Sequence, residues 1–178
     1  MEFFSDRDLG RYEFPGLLRS AGIVVHTHAD HFQHDTPDRD WLPQVAGRGW
    51  IVLTNDRRIR SRALELRAVM TSGSRVMALV GGSLTAAELA QNFLNTFTKV
   101  EAFAAEHPAP WIARVYRPNP VEGVAHGKPG SIKLILTLEE WEQRFGQVLP
   151  SVGKTQSRGD AGEGSRASSA SLRLCVSA

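Results

Sequence analysis

Cysteine is nearly absent: Cys175 is the only one in 178 residues. That excludes an internal disulfide framework and any zinc site built on several thiolates. Long apolar runs are missing too. Stretches such as Val76 to Val80 and Ile132 to Leu136 fall far short of the roughly 20 residues that span a bilayer, and Met1-Glu2 opens no positively charged signal segment. A soluble, cytoplasmic protein with no membrane partner is expected. No phosphate-cradling glycine loop or dinucleotide fingerprint appears, because Gly81-Gly82 lacks the required lysine and spacing. Lysine is scarce, 17 of the 21 basic residues being arginine.

What is present is 42% hydrophobic and 22% charged sequence, enough for one buried core with little room for a second domain. The net charge of +2 hides an uneven distribution. Residues 1–41 carry eight acids against four arginines, whereas residues 48–67 carry six arginines against Asp56 and Glu65. An acidic segment followed by a basic one suits either a metal-holding pocket beside an anion-holding rim or two solvated faces of opposite sign.

Apolar runs read as strands at Phe3-Phe4, Ile23 to Val25, Trp50 to Thr54, Arg75 to Val80, Trp111 to Tyr116 and Ile132 to Leu136. Helix signals fall between them. Pro15 to Gly22 is short and ended by glycine; Thr36-Pro37-Asp38 supplies a cap, a proline and a first-turn acid ahead of Trp41, Leu42 and Val45. Ile59, Ala63, Leu66 and Met70 share one helical face. Thr85 with Glu88 forms a capping box before the stripe Leu89, Phe93, Phe97 and Val100, and Thr137 with Glu140 starts a last short helix. The alternation predicts an α/β fold, a compact three-layer, mostly parallel sheet with helices on both faces. Residues 118–130 read as a proline and glycine linker, 131–150 as a strand-helix appendage and 151–178 as a disordered tail, in which serine, glycine and alanine make up 15 of 28 residues.

Reactive residues in such folds sit beyond the carboxyl ends of strands. Asp6 follows the first strand, Asp56 the third, and Asp38 opens the helix between them, at sequence separations of 32 and 18. Carboxylates gathered that closely repel unless protons or a divalent cation neutralise them, and an all-oxygen set suits Mg2+ or Mn2+. Asp8 competes with Asp6, and Asp40 with Asp38. On a helix Asp38 and Asp40 are about 200° apart, so both cannot face one ion. The bland alternative makes Asp38 a helix-start carboxylate and Asp56 a turn residue. Arg57, Arg58, Arg60 and Arg62 follow directly and read either as phosphate contacts or as solvated surface.

His26-Thr27-His28-Ala29-Asp30-His31 reproduces the HxHxDH pattern of metallo-beta-lactamase-like zinc hydrolases. Only some 25 residues precede it, however, and Phe32-Gln33 replaces the glycines expected next. The other reading is a polar loop at the rim of a site, with His31 packed beside Phe32.

An ordered set of segments resembles the PIN-like domains: Phe3 to Gly10, His31 to Leu42, Gly49 to Arg60 and Trp111 to Val115, together spanning about two thirds of the chain. The resemblance implies a metal-dependent endoribonuclease with Asp6, Asp38 and Asp56 as catalytic, ion-holding acids. Asp8 and Asp40 are the alternates, and Arg57, Arg60 and Thr54 stand beside the RNA substrate. It implies Mg2+ or Mn2+ as cofactor and, for toxin members, a small antitoxin partner and a homodimer. Many members carry a further aspartate where this chain has Arg58, which leaves open a PIN-like module that only binds RNA or protein. Zinc hydrolysis through His26, His28, Asp30 and His31 is the third reading.

Overall fold

The computed structural model describes residues 1–56, 63–81, 84–119 and 123–146. Arg57, Arg58, Arg60 and Arg62, part of the linker and everything from residue 147 onward, including the apolar Leu172, Leu174 and Val176, lie outside the described residues.

The six apolar runs become one sheet. Its strands are β1 (Phe3–Ser5), β2 (Val25–Thr27), β3 (Ile51–Thr54), β4 (Arg75–Val80), β5 (Trp111–Tyr116) and β6 (Ser131–Thr137), in the spatial order β2-β1-β3-β4-β5-β6. The first five are mutually parallel and β6 runs antiparallel to β5. The residues expected as an appendage thus continue the same sheet. Every residue of β3 is buried, as a strand covered on both faces requires.

Side-chain alternation divides the core into two layers. Phe3, Ile51 and Leu53 face α1 (Glu13–Ser20) and α5 (Ala86–Glu106), where Phe3 meets Phe93 edge-on with ring centroids 5.3 Å apart. Phe4 and Val52 face the other way, toward Trp41, Leu66, Val69 and Trp141 of α3 (Asp38–Gly47), α4 (Ala63–Ser72) and α6 (Leu138–Phe145). Burying aromatic and branched side chains on this scale, at about 1.5–3 kcal/mol each, holds the three layers together. The capping boxes form as the sequence predicts: Thr85 Oγ1 accepts from Glu88 N at 3.2 Å and Glu88 Oε2 accepts from Thr85 N at 2.8 Å, with the same reciprocal pair at Thr137 and Glu140.

Two local expectations need correction. The second strand is Val25–Thr27 rather than Ile23 to Val25, because it is Val25, His26 and Thr27 that register against Phe3, Phe4 and Ser5. The segment expected as a polar loop also contains a one-turn helix, α2 (His28–His31), started by Thr27 and Asp30.

The strand order creates the site. The chain leaves β1 outward to β2, then crosses back to β3 on the other side of β1. Connections diverge between the adjacent strands β1 and β3 and open a crevice at their carboxyl ends. Asp6 N donates to Leu53 O at 2.9 Å and fixes the two strand exits side by side.

Candidate active site

Asp6 is the first residue past β1. Its Oδ1 accepts from Arg7 N at 2.7 Å, capping a 3-10 turn over Arg7–Leu9. That turn brings Asp8 back over the end of β3, where Thr54 Oγ1 donates to Asp8 Oδ2 at 2.9 Å and Asn55 N donates to the same oxygen at 2.7 Å. Thr54 Oγ1 also lies 3.3 Å from Asp6 Oδ2 and accepts from Asp56 N at 3.1 Å. One buried hydroxyl therefore touches Asp6, Asp8 and the backbone of Asp56.

Asp38 arrives from the start of α3, where an acid is favoured by the helix dipole. Its Oδ1 accepts from Trp41 Nε1 at 3.1 Å and from Arg7 Nη2 at 3.2 Å. Arg7 is tied down by a second hydrogen bond to His34 O, and its Nε lies 3.8 Å from Asp6 Oδ1. Pro37 holds the cap position, one residue later than the sequence suggests. Asp40 is exposed and pairs with its neighbour Arg39 at 3.6 Å, while Asp38 lines the crevice.

These residues surround an open hollow of about 410 Å³ lined by Asp6, Arg7, Asp8, Asp38, Asn55, Asp56 and Glu65. Glu65, on α4, is a carboxylate that sequence reasoning missed. Its only signal was a position in the first turn of the helix after Asp56, and the packing of α4 against α3 decides where it ends up. The setting leaves a mark on the protonation of Asp6 and Asp8. Burial, followed by the neighbouring charge of Asp8, pushes the Asp6 carboxyl up to about 6. Asp8 moves in the same direction, burial again leading, although Thr54 and Asn55 oppose it and the residue keeps one side in solvent.

The donor set is all oxygen and strongly acidic, as Mg2+ and Mn2+ prefer. Among the described residues, however, no three His, Cys, Asp or Glu side chains are grouped closely enough to hold one ion. Asp6, Asp38 and Asp56 share a hollow, and Arg7 bridges two of them.

The histidine motif divides between two settings, a buried one for His28 and a surface one that His26 and His31 share on Trp50. His28 is buried, edge-on to Trp41 and near Phe4 and Phe32. His26 stacks on Trp50 at 3.7 Å between ring centroids, with Nε2 2.8 Å from Glu2 Oε2. His31 also lies against Trp50, and its Nδ1 is 3.3 Å from Arg48 Nη1. Asp30 accepts from Thr27 N at 3.4 Å and pairs with Arg19 at 3.2 Å. The HxHxDH spacing gathers no zinc cluster among the described residues: His26 and His31 stay together, ring centroids 5.4 Å apart against Trp50, while the turn from β2 into α2 sends His28 into the core. Arg57 and Arg60, expected beside substrate, lie outside the described residues.

No helix among the described residues is long and apolar enough to cross a membrane. A family described as "PIN like domain" matches residues 1–81, which contain all the acids of the hollow. The chain is 32% identical over 117 residues to a Mycobacterium tuberculosis protein named "Putative ribonuclease VapC45", an alignment covering 64% of this chain and 84% of that protein. No solved structure matches. With the switch-point crevice, the acids at its strand ends and this relative across most of its length, the chain belongs to the PIN-like domain family of VapC-type toxin nucleases.

Proposed function

We propose that this chain is a divalent-metal-dependent endoribonuclease of the toxin type, restrained by a small antitoxin protein that covers the crevice and working as a homodimer. The observation that carries the reading is the set of carboxylates from β1, α3 and the β3 exit lining one hollow at the switch point. Asp6, Asp38 and Asp56 would have to draw together from their places around the hollow to hold Mg2+ or Mn2+, which when bound polarises phosphate oxygens and acidifies water. The chain's own residues supply the rest. Thr54 and Asn55 keep Asp8 oriented toward the hollow, and Arg7, once it leaves Asp38, is within reach of a phosphate. Arg57 and Arg60, outside the described residues, are proposed to contact substrate phosphates. Water oxygen bonds to phosphorus as the bond to the 3′ oxygen breaks, and the proton passes to that oxygen, leaving a 5′-phosphate and a 3′-hydroxyl.

A second reading, a module that binds RNA without cutting it, draws on the Arg7–Asp38 pair and on Arg58 in place of the family's further aspartate. Incubating purified protein with labelled single-stranded RNA and Mn2+ separates the two. Cleavage that disappears in Asp6→Asn and in EDTA supports the nuclease, and RNA retention without cleavage supports the binding module.

A further inference from the structure

Beside the acidic hollow is a second cavity of about 380 Å³, between the turn after β1 and helix α2, and the two share Asp6 and Arg7 as a common wall. Its character is different. Phe32 and Ala29 give it an apolar side, while Ser5 and His28 contribute residues that are 1% and 2% exposed. Ser5 Oγ and His28 Nε2 have no protein hydrogen-bond partner and are closed to solvent. A buried polar atom left unpaired costs about 1–3 kcal/mol, so two in one cavity call for an explanation. Burial and the nearby Arg7 charge also favour the neutral form of His28. Both groups lie just behind the cavity surface, and a hydroxyl and a neutral imidazole that turn toward it can read the edge of an uncharged ligand by donating or accepting. Arg7 and Arg11 line the same cavity and add cationic character.

We propose that this cavity seats one unpaired nucleobase of the RNA strand, next to the phosphate presented to the carboxylate hollow. Single-stranded RNA is recognised in this way, with bases splayed from the stack, laid against aromatic side chains and hydrogen-bonded along their edges. The cavity lies within the roughly 300–1,000 Å³ range of small-ligand sites. Asp6 on the shared wall disfavours an anionic occupant, and the arginines suit the phosphates on either side of a neutral base. The base therefore decides which linkage reaches the acids. The inference rests on the nuclease reading for the position of the phosphate, and on the cavity alone for the base.

The test uses the full chain and short fluorescein-labelled single-stranded RNAs, either intact or with one abasic site moved along the strand. Anisotropy in EDTA measures binding without cleavage, and product mapping in Mn2+ measures where the strand is cut. Two variants address the cavity: Ala29→Trp, which fills it from an exposed helix position, and Ser5→Ala, which removes one polar atom at no cost in volume. The expected result for wild type is a loss of about tenfold in affinity at one abasic position, in line with the worth of one stacked base. Ala29→Trp should abolish that discrimination, and Ser5→Ala should change the preferred base at the same position. Discrimination in EDTA by a protein that cuts nothing supports the cavity and defeats the nuclease reading alone. Cleavage with an unchanged cut pattern and unchanged abasic profile in both folded variants overturns the base seat and leaves the nuclease standing. Equal weakening of intact and abasic strands also overturns it, since the cavity would then serve the backbone or a protein segment.

Discussion

Arg7 holds Asp38 through a 3.2 Å contact from Nη2 to Oδ1 while its Nε stays 3.8 Å from Asp6. The acids of the hollow therefore carry a counter-cation of their own, and the divalent ion of the proposed function would have to compete with it. Both side chains are about one-third exposed, so the pair is screened and worth about 0.5–1 kcal/mol. Arg7→Met should tighten Mn2+ binding roughly 2–5-fold, as that energy converts, when followed by electron paramagnetic resonance titration. Weaker binding would mean that Arg7 organises the site instead of competing for it.

Asp6 makes metal-free stability fall as pH rises. Its folded carboxyl titrates at about 6 against an ordinary 3.8, so between those values the folded chain binds more protons than the unfolded one. Stability from this group is complete below about pH 4 and is lost as pH climbs through 6. Asp8 acts in the same sense, while His28, depressed below its ordinary value, acts oppositely. Comparing wild type with Asp6→Asn isolates the one group. In EDTA the variant should be more stable by about 1–3 kcal/mol at pH 7.5 and nearly equal at pH 4, by urea unfolding. Equal stability at both values would show that Asp6 is not raised.

Thr54 is the buried hydroxyl that serves Asp8 and receives the amide of Asp56. Thr54→Val preserves the shape and removes these contacts together with the one to Asp6. A stability loss of about 1–2 kcal/mol is expected, with a drop of at least tenfold in Mn2+-dependent cleavage, and Thr54→Ser should restore most of both. Cleavage unaffected in Thr54→Val would release this residue from any role in setting the acids.

His31 packs on Trp50 and Arg48, away from the acids. His31→Ala should leave the Mn2+-dependent rate within about twofold of wild type and its stability within about 0.5 kcal/mol, as for other surface changes. A large loss of rate accompanied by stoichiometric zinc in the wild-type protein would revive the zinc reading.

Much of the fold can be read in the sequence where periodicity is strong. The stripe from Leu89 to Val100 and the unbroken apolar run at β3 leave little choice, and the acid after β1 and the Thr54 to Asp56 turn follow from strand ends. Register was less legible. Ile23, Val24 and Val25 look like a strand by propensity, yet Val24 is half exposed and pairing begins only at Val25, because contacts with β1 decide where a strand forms. α2 is too short to show a period. The histidine spacing matched a metal motif because local sequence does not say that the backbone turns within it. Glu65 and the bridging place of Arg7 depend on how α4 and the turn after β1 dock, which no window of neighbouring residues encodes.

The opposite departures of the chain from β1 and β3 have an evolutionary consequence. One side of the crevice is built from the turn after β1 and from α2 and another from Glu65 of α4, while Asp6 and Asp56 stay at the ends of the strands between them. Either side can be lengthened, recharged or reshaped without disturbing those positions, so a lineage built on this sheet can change what its crevice admits while keeping its acids in place.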